Sequence, residues 1–287
     1  MKIQKITLST SDVPEKLRNI PMPPNRLCVM GADVNELLKR PCVTVVGSRK
    51  VSAYGRSVTM SLAGELAKAG VVIISGLALG VDSLAHKAAL EAGGLTIAVL
   101  PSGVESVYPA MHLGLSKQIL QQGGALISEY PDHEVARKHY FIARNRLASG
   151  LGDALLITEA AEKSGTLHTA NFALEQGRPV LAVPGNITSP TSAGTNNLIK
   201  TGAVPVTSVQ DIFYVLGMDA GRQERAAPRS SNPDEQIILD LIFAGITDGA
   251  DLLGQSELEV RLFNQTLTML EIRGLIRPLG NNQWGLS

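Results

Sequence analysis

From Val43 onward the sequence repeats one pattern: a short apolar run rich in β-branched residues, then a longer stretch with helical spacing. The runs fall at 43–46, 71–74, 95–100, 125–127, 154–157 and 180–183. Short apolar runs bounded by turn residues read as strands buried on both faces, and the stretches between them as helices. Regular alternation of this kind makes the strands parallel, because each helix returns the chain over the sheet in a right-handed crossover. The expected fold class is therefore α/β, a doubly wound, mostly parallel sheet.

Local punctuation agrees with that register. Stretch 55–69 is bounded by glycines, and Asp82 is a candidate N-cap for a helix over 83–92 that stops at Gly93 and Gly94. Residues 1–42, interrupted by Pro21, Pro23, Pro24 and Pro41, read as an extended lead-in packing on the doubly wound domain of residues 43–217. Between 218 and 232 the composition turns to Gly, Arg, Ala, Pro and Ser, which suits a linker. Residues 233–287 form a second, small domain. Helical spacing at 234–243 and 256–273, then two short apolar pieces about Asn281 and Asn282, reads as a winged helix.

Composition narrows the function classes. Lys plus Arg and Asp plus Glu each total 26, so no net field draws the chain to polyanions, and a nucleic-acid site must be a local patch. Cys28 and Cys42 sit in apolar strand-like runs and read as buried thiols rather than a cystine. No charged-then-apolar leader and no apolar run of about 18 residues is present, which gives the expectation of a cytoplasmic protein without a membrane anchor.

In such a sheet, ligands gather outside the carboxyl ends of the strands. After the first run comes Gly47-Ser48-Arg49-Lys50, a tight turn with a hydroxyl and two cations. It lacks G-x-G-x-x-G, so a nicotinamide or flavin cofactor is not expected, and no cofactor is assigned. Arg49 and Lys50 read as an anion site or as a solvated surface pair. Gly76 and Gly80 let a ligand approach the next loop closely. Asp82 and His86, four residues apart, admit a metal or acid-base reading, but no third ligand has suitable spacing, and helix capping is the simpler account. Segment 137–146 holds Arg137, Lys138, Arg144 and Arg146 with His139, Tyr140 and Phe141 and no carboxylate. Cations that follow phosphates beside a ring that takes a base face are the equipment of sequence-tolerant single-strand binding. The blander reading is an exposed helix start with Phe141 in the core. Lys163, Ser164 and Thr166 mark another helix start, where the hydroxyls serve a phosphate or cap the helix.

Taken in order, these segments resemble the DNA-processing protein A (DprA/Smf) family. The matches include Val46 to Arg49 with Tyr54-Gly55, Ser75 to Ala78 with Gly80, Gly103 with Tyr108-Pro109, Ser128 to Pro131, Phe141 with Arg144-Asn145-Arg146, Ser164 to Thr166, and Gly194-Thr195-Asn196. The resemblance implies an extended Rossmann domain that binds single-stranded DNA without hydrolysing it, pairs as a homodimer, and hands DNA to the RecA recombinase in natural transformation. By position it implies that Arg49 binds phosphate, Lys138 is a second basic contact and Phe141 packs on a base, with Arg144, Asn145, Lys163 and Ser164 as further contacts. Segment 196–203 and the strand after it are the candidate dimer surface.

Leu79, Ile142, Glu105 and His112 depart from the family's usual Arg, Pro, Asp and Asn. Too few residues precede Val43 for the helical domain that many members carry. The candidate recognition helix sets Glu257, Glu259 and Glu271 against Arg261 and Arg273, which favours a protein contact over duplex DNA. The rival class is an enzyme similar to lysine-decarboxylase-like phosphoribohydrolases. Their Pro-Gly-Gly-x-Gly-Thr loop is absent from 159–166, and Glu159 is the residue such a reading would make catalytic.

Overall fold

The computed structural model describes residues 4–9, 11–218, 230, 232–280 and 282–286. The chain divides into two compact units, Met1–Asp219 and Ala220–Ser287.

The first unit opens with β1 (Gln4–Ser9), α1 (Glu15–Arg18), β2 (Arg26–Gly31) and α2 (Val34–Leu37). Next come β3 (Cys42–Val46), α3 (Ala53–Lys68), β4 (Val72–Ser75), α4 (Val81–Glu91) and β5 (Thr96–Val99). A 3-10 turn at Ala110–His112 leads into α5 (Leu113–Gln121), β6 (Ala125–Ser128), α6 (Lys138–Leu151) and β7 (Ala154–Ile157). The unit closes with α7 (Thr166–Glu175), β8 (Val180–Ala182), α8 (Ala193–Lys200), β9 (Val204–Pro205) and α9 (Val209–Val215).

These strands form one sheet in the order β1-β2-β6-β5-β4-β3-β7-β8-β9. Pairing is parallel from β6 through β9 and antiparallel at β1-β2 and β2-β6. The six strands expected from the apolar runs are β3 to β8, and nearly every residue in them is buried, as a sheet covered on both faces requires. Val43 and Val45 of β3 pack with Leu62, Leu66 and Ala85 of α3 and α4. Cys42 packs on the other face with Leu147 and Leu151 of α6. Both cysteines are free and buried, and burial pushes the Cys42 thiol up to about 12.

The described residues of 1–42 differ from an extended lead-in. They supply the antiparallel edge of the sheet, with β2 hydrogen-bonded to β6 through the Cys28–Ser128 to Gly31–Ala125 register. The reason is backbone chemistry: a buried β6 with one open side would leave its N–H and C=O groups unpaired, and β2 closes it. β3 then sits at the switch point, with β4 on one side and β7 on the other. The loops that leave β3 and β7 flank the crevice where such sheets take ligands.

The second unit contains α10 (Pro233–Phe243), α11 (Gly249–Ser256), α12 (Val260–Ile272) and a hairpin of β10 (Ile276–Gly280) and β11 (Gln283–Leu286). Ile238, Leu239, Leu252, Phe263, Leu267 and Leu270 form its core. The helix expected over 256–273 begins at Val260, because Glu257 takes a left-handed φ of 55° and ends α11. Most of the linker expected at 218–232 lies outside the described residues. Among the described residues, no helix is long and apolar enough to cross a membrane.

Candidate nucleic-acid interface

The loop after β3 is held from below. Its Ser48 amide donates to the Glu159 carbonyl at 2.8 Å, and the Ser48 hydroxyl accepts from Lys50 N at 3.1 Å. Ser52 caps α3, accepting from Gly55 N, and donates from its own amide and hydroxyl to the two Glu159 carboxylate oxygens at 2.9 and 2.5 Å. With the backbone fixed in this way, the side chains of Arg49 and Lys50 project outward and are exposed.

Arg49 finds an aromatic partner rather than a carboxylate. Its guanidinium carbon lies 5.2 Å from the centroid of Phe141, within cation–π range. Phe141 is in the first turn of α6, half-buried, and meets Tyr108 edge-on at 5.5 Å and 80°. The ring is therefore part of a surface stack, not of the core. Lys138, three residues earlier and so on the same helix face, is exposed. Among the described residues, none of Arg49, Lys50, Lys138 and Lys163 forms an ion pair. Arg137, by contrast, pairs with Glu134 at 3.0 Å and overlies Tyr140, which is stacked on Tyr130.

The loop after β4 is closed. The Asp82 carboxylate accepts from Gly76 N at 3.1 Å and Ala78 N at 3.4 Å. Arg144 is 4% exposed and donates to the carbonyls of Gly76 and Val99. His112 Nδ1 meets the Leu77 carbonyl at 2.8 Å, and Leu77 holds a left-handed φ of 57°. Three expectations change here. Gly76 has its amide and carbonyl engaged inside the protein, so neither is offered to a ligand. Arg144 supports this loop from beneath and does not reach solvent, and Asn145 accepts from its Nε at 3.2 Å. Asp82 is not the N-cap of α4, because Gly80 with φ 79° occupies that place, where a Cβ would strike the Ser48 carbonyl.

Burial raises the Asp82 carboxyl above its usual range, against the pull of Arg144 and the two amides. Burial likewise lowers Arg144. His86 is buried with Nδ1 against the Thr96 hydroxyl at 2.6 Å, and burial, then the charges of His112 and Arg144, pulls it down to about 3. Asp82 and His86 thus each have an internal hydrogen-bond partner, two loop amides for the one and Thr96 for the other, and among the described residues no group of three or more His, Cys, Asp or Glu could hold a metal.

The loop after β7 brings Lys163 to the other side of the crevice, exposed. Ser164 stands one residue before the N-cap Gly165 of α7; its hydroxyl accepts from Thr166 N at 3.2 Å and donates to Thr166 Oγ1, and Thr166 is buried. Those hydroxyls close the turn. Beyond them a cavity of about 520 Å³ is lined by Ser52, Tyr54, Asn186 and Ser192 among others, with the Tyr54 hydroxyl donating to the Pro184 carbonyl. Asn196 shapes that rim, bonding both the amide and the carbonyl of Gly185 at 3.1 Å.

Of the sequence-derived candidates, Arg49 and Phe141 are brought into contact, and Lys138 shares their side of α6. Ser48 and Lys50 lie in the same loop as Arg49, and Lys163 and Ser164 follow β7, the strand paired with β3, whereas Gly76 has its amide and carbonyl engaged within the protein and Arg144 and Thr166 are buried. Tyr108 and His112 have no site role legible in the sequence, and Glu159 is legible there only as a rival catalytic residue. Their signal is weak, since each acts through a partner distant in the chain.

A family model described as DNA recombination-mediator protein A matches residues 4–217. The chain is 48% identical over 174 residues to protein Smf of Escherichia coli, covering 61% of this chain and 46% of that protein, so it spans about half that relative's length. It is 39% identical over 214 residues to DNA processing protein DprA of Bacillus subtilis, covering 75% and 71% of the two chains. The solved structure of DprA from Streptococcus pneumoniae superposes with a TM-score of 0.68 at 39% identity over 74% of each chain. DNA processing protein A from Helicobacter pylori, solved for its single-stranded DNA binding mode, superposes with a TM-score of 0.67 at 34% identity, over 75% of this chain and 96% of that one.

Proposed function

The chain belongs to the DNA recombination-mediator protein A family, and on that premise we propose that it holds single-stranded DNA without cleaving it. The observation that carries the proposal is the contact of an exposed Arg49, without an ion-pair partner among the described residues, with a half-exposed Phe141. A guanidinium matches phosphate oxygens, and a ring at the surface offers a face to an unstacked base. Duplex DNA keeps its bases stacked and cannot use such a ring. Arg49 and Phe141 form the centre of the site, with Lys50, Lys138 and Lys163 following the backbone and Ser48 and Ser164 bordering it. The likeness to the H. pylori protein supports the same ligand class.

The state of Glu159 supports a non-catalytic reading. It is 1% exposed, and both carboxylate oxygens are engaged by Ser52 at the start of α3. A general base needs a free oxygen within reach of substrate.

The family resemblance extends the proposal. The protein guards incoming DNA and passes it to RecA recombinase during natural transformation, acting in the cytoplasm as a homodimer through 196–203 and β9. The exposed β9, an edge strand, fits that last role. The second unit fits a winged helix that contacts protein rather than DNA, since residues 233–287 carry eight carboxylates against three arginines.

A titration of labelled oligonucleotide, single against double stranded, across ionic strengths tests the central proposal. With about four phosphates contacted, log affinity falls with log salt at a slope of roughly −3. Equal affinity of the wild type and an Arg49→Ala, Lys138→Ala double variant would overturn it. Free base released from nucleoside monophosphates, and lost on Glu159→Ala, would establish the enzymatic alternative instead.

A further inference from the structure

We propose that the strand does not end at Phe141: Tyr108 is a second base-stacking ring, and the groove beside it receives the neighbouring base. This rests on the single-strand reading of the Arg49–Phe141 contact and adds a subsite to it.

Three features carry the inference. First, the contacts are continuous, because Arg49 overlies Phe141 and Phe141 meets the edge of Tyr108 at 5.5 Å. Second, Tyr108 remains 49% exposed and opens onto a groove of about 320 Å³, walled by Val107, Leu113 and Val135. That volume is at the small end of the roughly 300–1,000 Å³ typical of ligand pockets. Val135 is 65% exposed and Leu113 47%, so the walls present apolar surface to water that a stacked base would cover. Third, the Tyr108 hydroxyl has no protein partner among the described residues, unlike those of Tyr54 and Tyr140, which bond Pro184 and Glu134.

The local charges permit a polyanion to run past. Glu105 lines the groove, but its carboxylate is paired with Lys5 at 2.7 Å and faces His133 at 3.2 Å. Asp132 is paired with the same lysine at 2.7 Å, and Glu134 with Arg137 at 3.0 Å. Among the described residues that line it, the groove contains no cation. It is a place for a base, with the phosphates left to Arg49 and Lys138, and its apolar walls make it indifferent to sequence.

The test uses the full chain and an oligothymidylate carrying 5-iodouracil at successive positions. Irradiation should give adducts on both Phe141 and Tyr108, mapped by mass spectrometry. Tyr108→Ala should weaken binding by about tenfold, within the range of one lost base stack, and leave the salt slope unchanged because no charge is removed. Tyr108→Phe should bind within about twofold of the wild type. Wild-type affinity in Tyr108→Ala overturns the subsite. So does weakened binding with adducts on Phe141 alone, which would make Tyr108 a prop for its neighbour. If Arg49→Ala and Phe141→Ala bind as the wild type does and neither ring is labelled, the single-strand reading itself fails, a result distinct from the other two.

Discussion

The loops after β3 and β4 leave adjacent parallel strands, and both combine glycine, small residues and backbone amides in the manner of an anion site. They end in opposite states. The β3 loop fastens its backbone to Glu159 from below and presents Arg49 and Lys50 to solvent. The β4 loop turns inward: Asp82 takes two of its amides, while Arg144 and His112 take two of its carbonyls. The pair teaches that counting donors in a loop says little. What decides is whether those donors are already satisfied by groups from elsewhere in the chain.

Substitutions can break that contrast or sharpen it. The largest effect belongs to the closed loop. Arg144→Ala strands two buried carbonyls and removes the cation facing Asp82, and should cost about 3–5 kcal/mol in a urea melt. A loss below 1 kcal/mol would mean that Arg144 is not the support described.

The next is a pH effect on the same side. His86 has a folded pKa near 3 against an ordinary 6.5, so the unfolded chain takes up a proton that the folded chain refuses. Its stabilising contribution is complete above pH 6.5 and declines as pH falls towards 3. By pH 4.5 the decline should reach about 2–3 kcal/mol. His86→Gln should flatten the low-pH limb of unfolding free energy against pH, and an unchanged slope would count against the assignment.

The open loop should show the reverse behaviour. Arg49→Ala should weaken all single-stranded sequences by about tenfold, reduce the salt slope by about 0.7, and move unfolding by less than about 0.5 kcal/mol. The smallest change joins the two loops. Leu79 is exposed at the tip of the closed loop, so Leu79→Arg gives that loop a cation without disturbing its hydrogen bonds. Affinity should rise about threefold and the salt slope steepen by about 0.7.

Much of the scaffold was legible in advance. The six apolar runs became β3 to β8 because strands covered on both faces tolerate only apolar side chains. β1, Gln-Lys-Ile-Thr-Leu-Ser, escaped notice because an edge strand with one open side alternates weakly and resembles a polar lead-in. Within the site, Arg49 was legible as a cation in a loop that must lie at the carboxyl edge. Arg144 differs from that expectation: along α6 Lys138, His139 and Ile142 are exposed, while Arg144 and every residue from Arg146 to Leu151 are buried, so depth along the helix determines which cations meet solvent. Asp82 and His86 are engaged separately, Asp82 by two loop amides and His86 by Thr96, and the N-cap of α4 is Gly80 rather than the expected Asp82, because a Cβ there would strike the Ser48 carbonyl.

By itself the sequence determined the layering, the parallel order implied by its alternation, and the edge at which ligands gather, because hydrophobic period and crossover handedness are local properties of a chain. Tertiary structure alone decided which cations remain free and which ring stays at the surface. Arg49 and Phe141 are 92 positions apart in the chain, and a contact of that kind exists only once β3 and the start of α6 have been packed side by side.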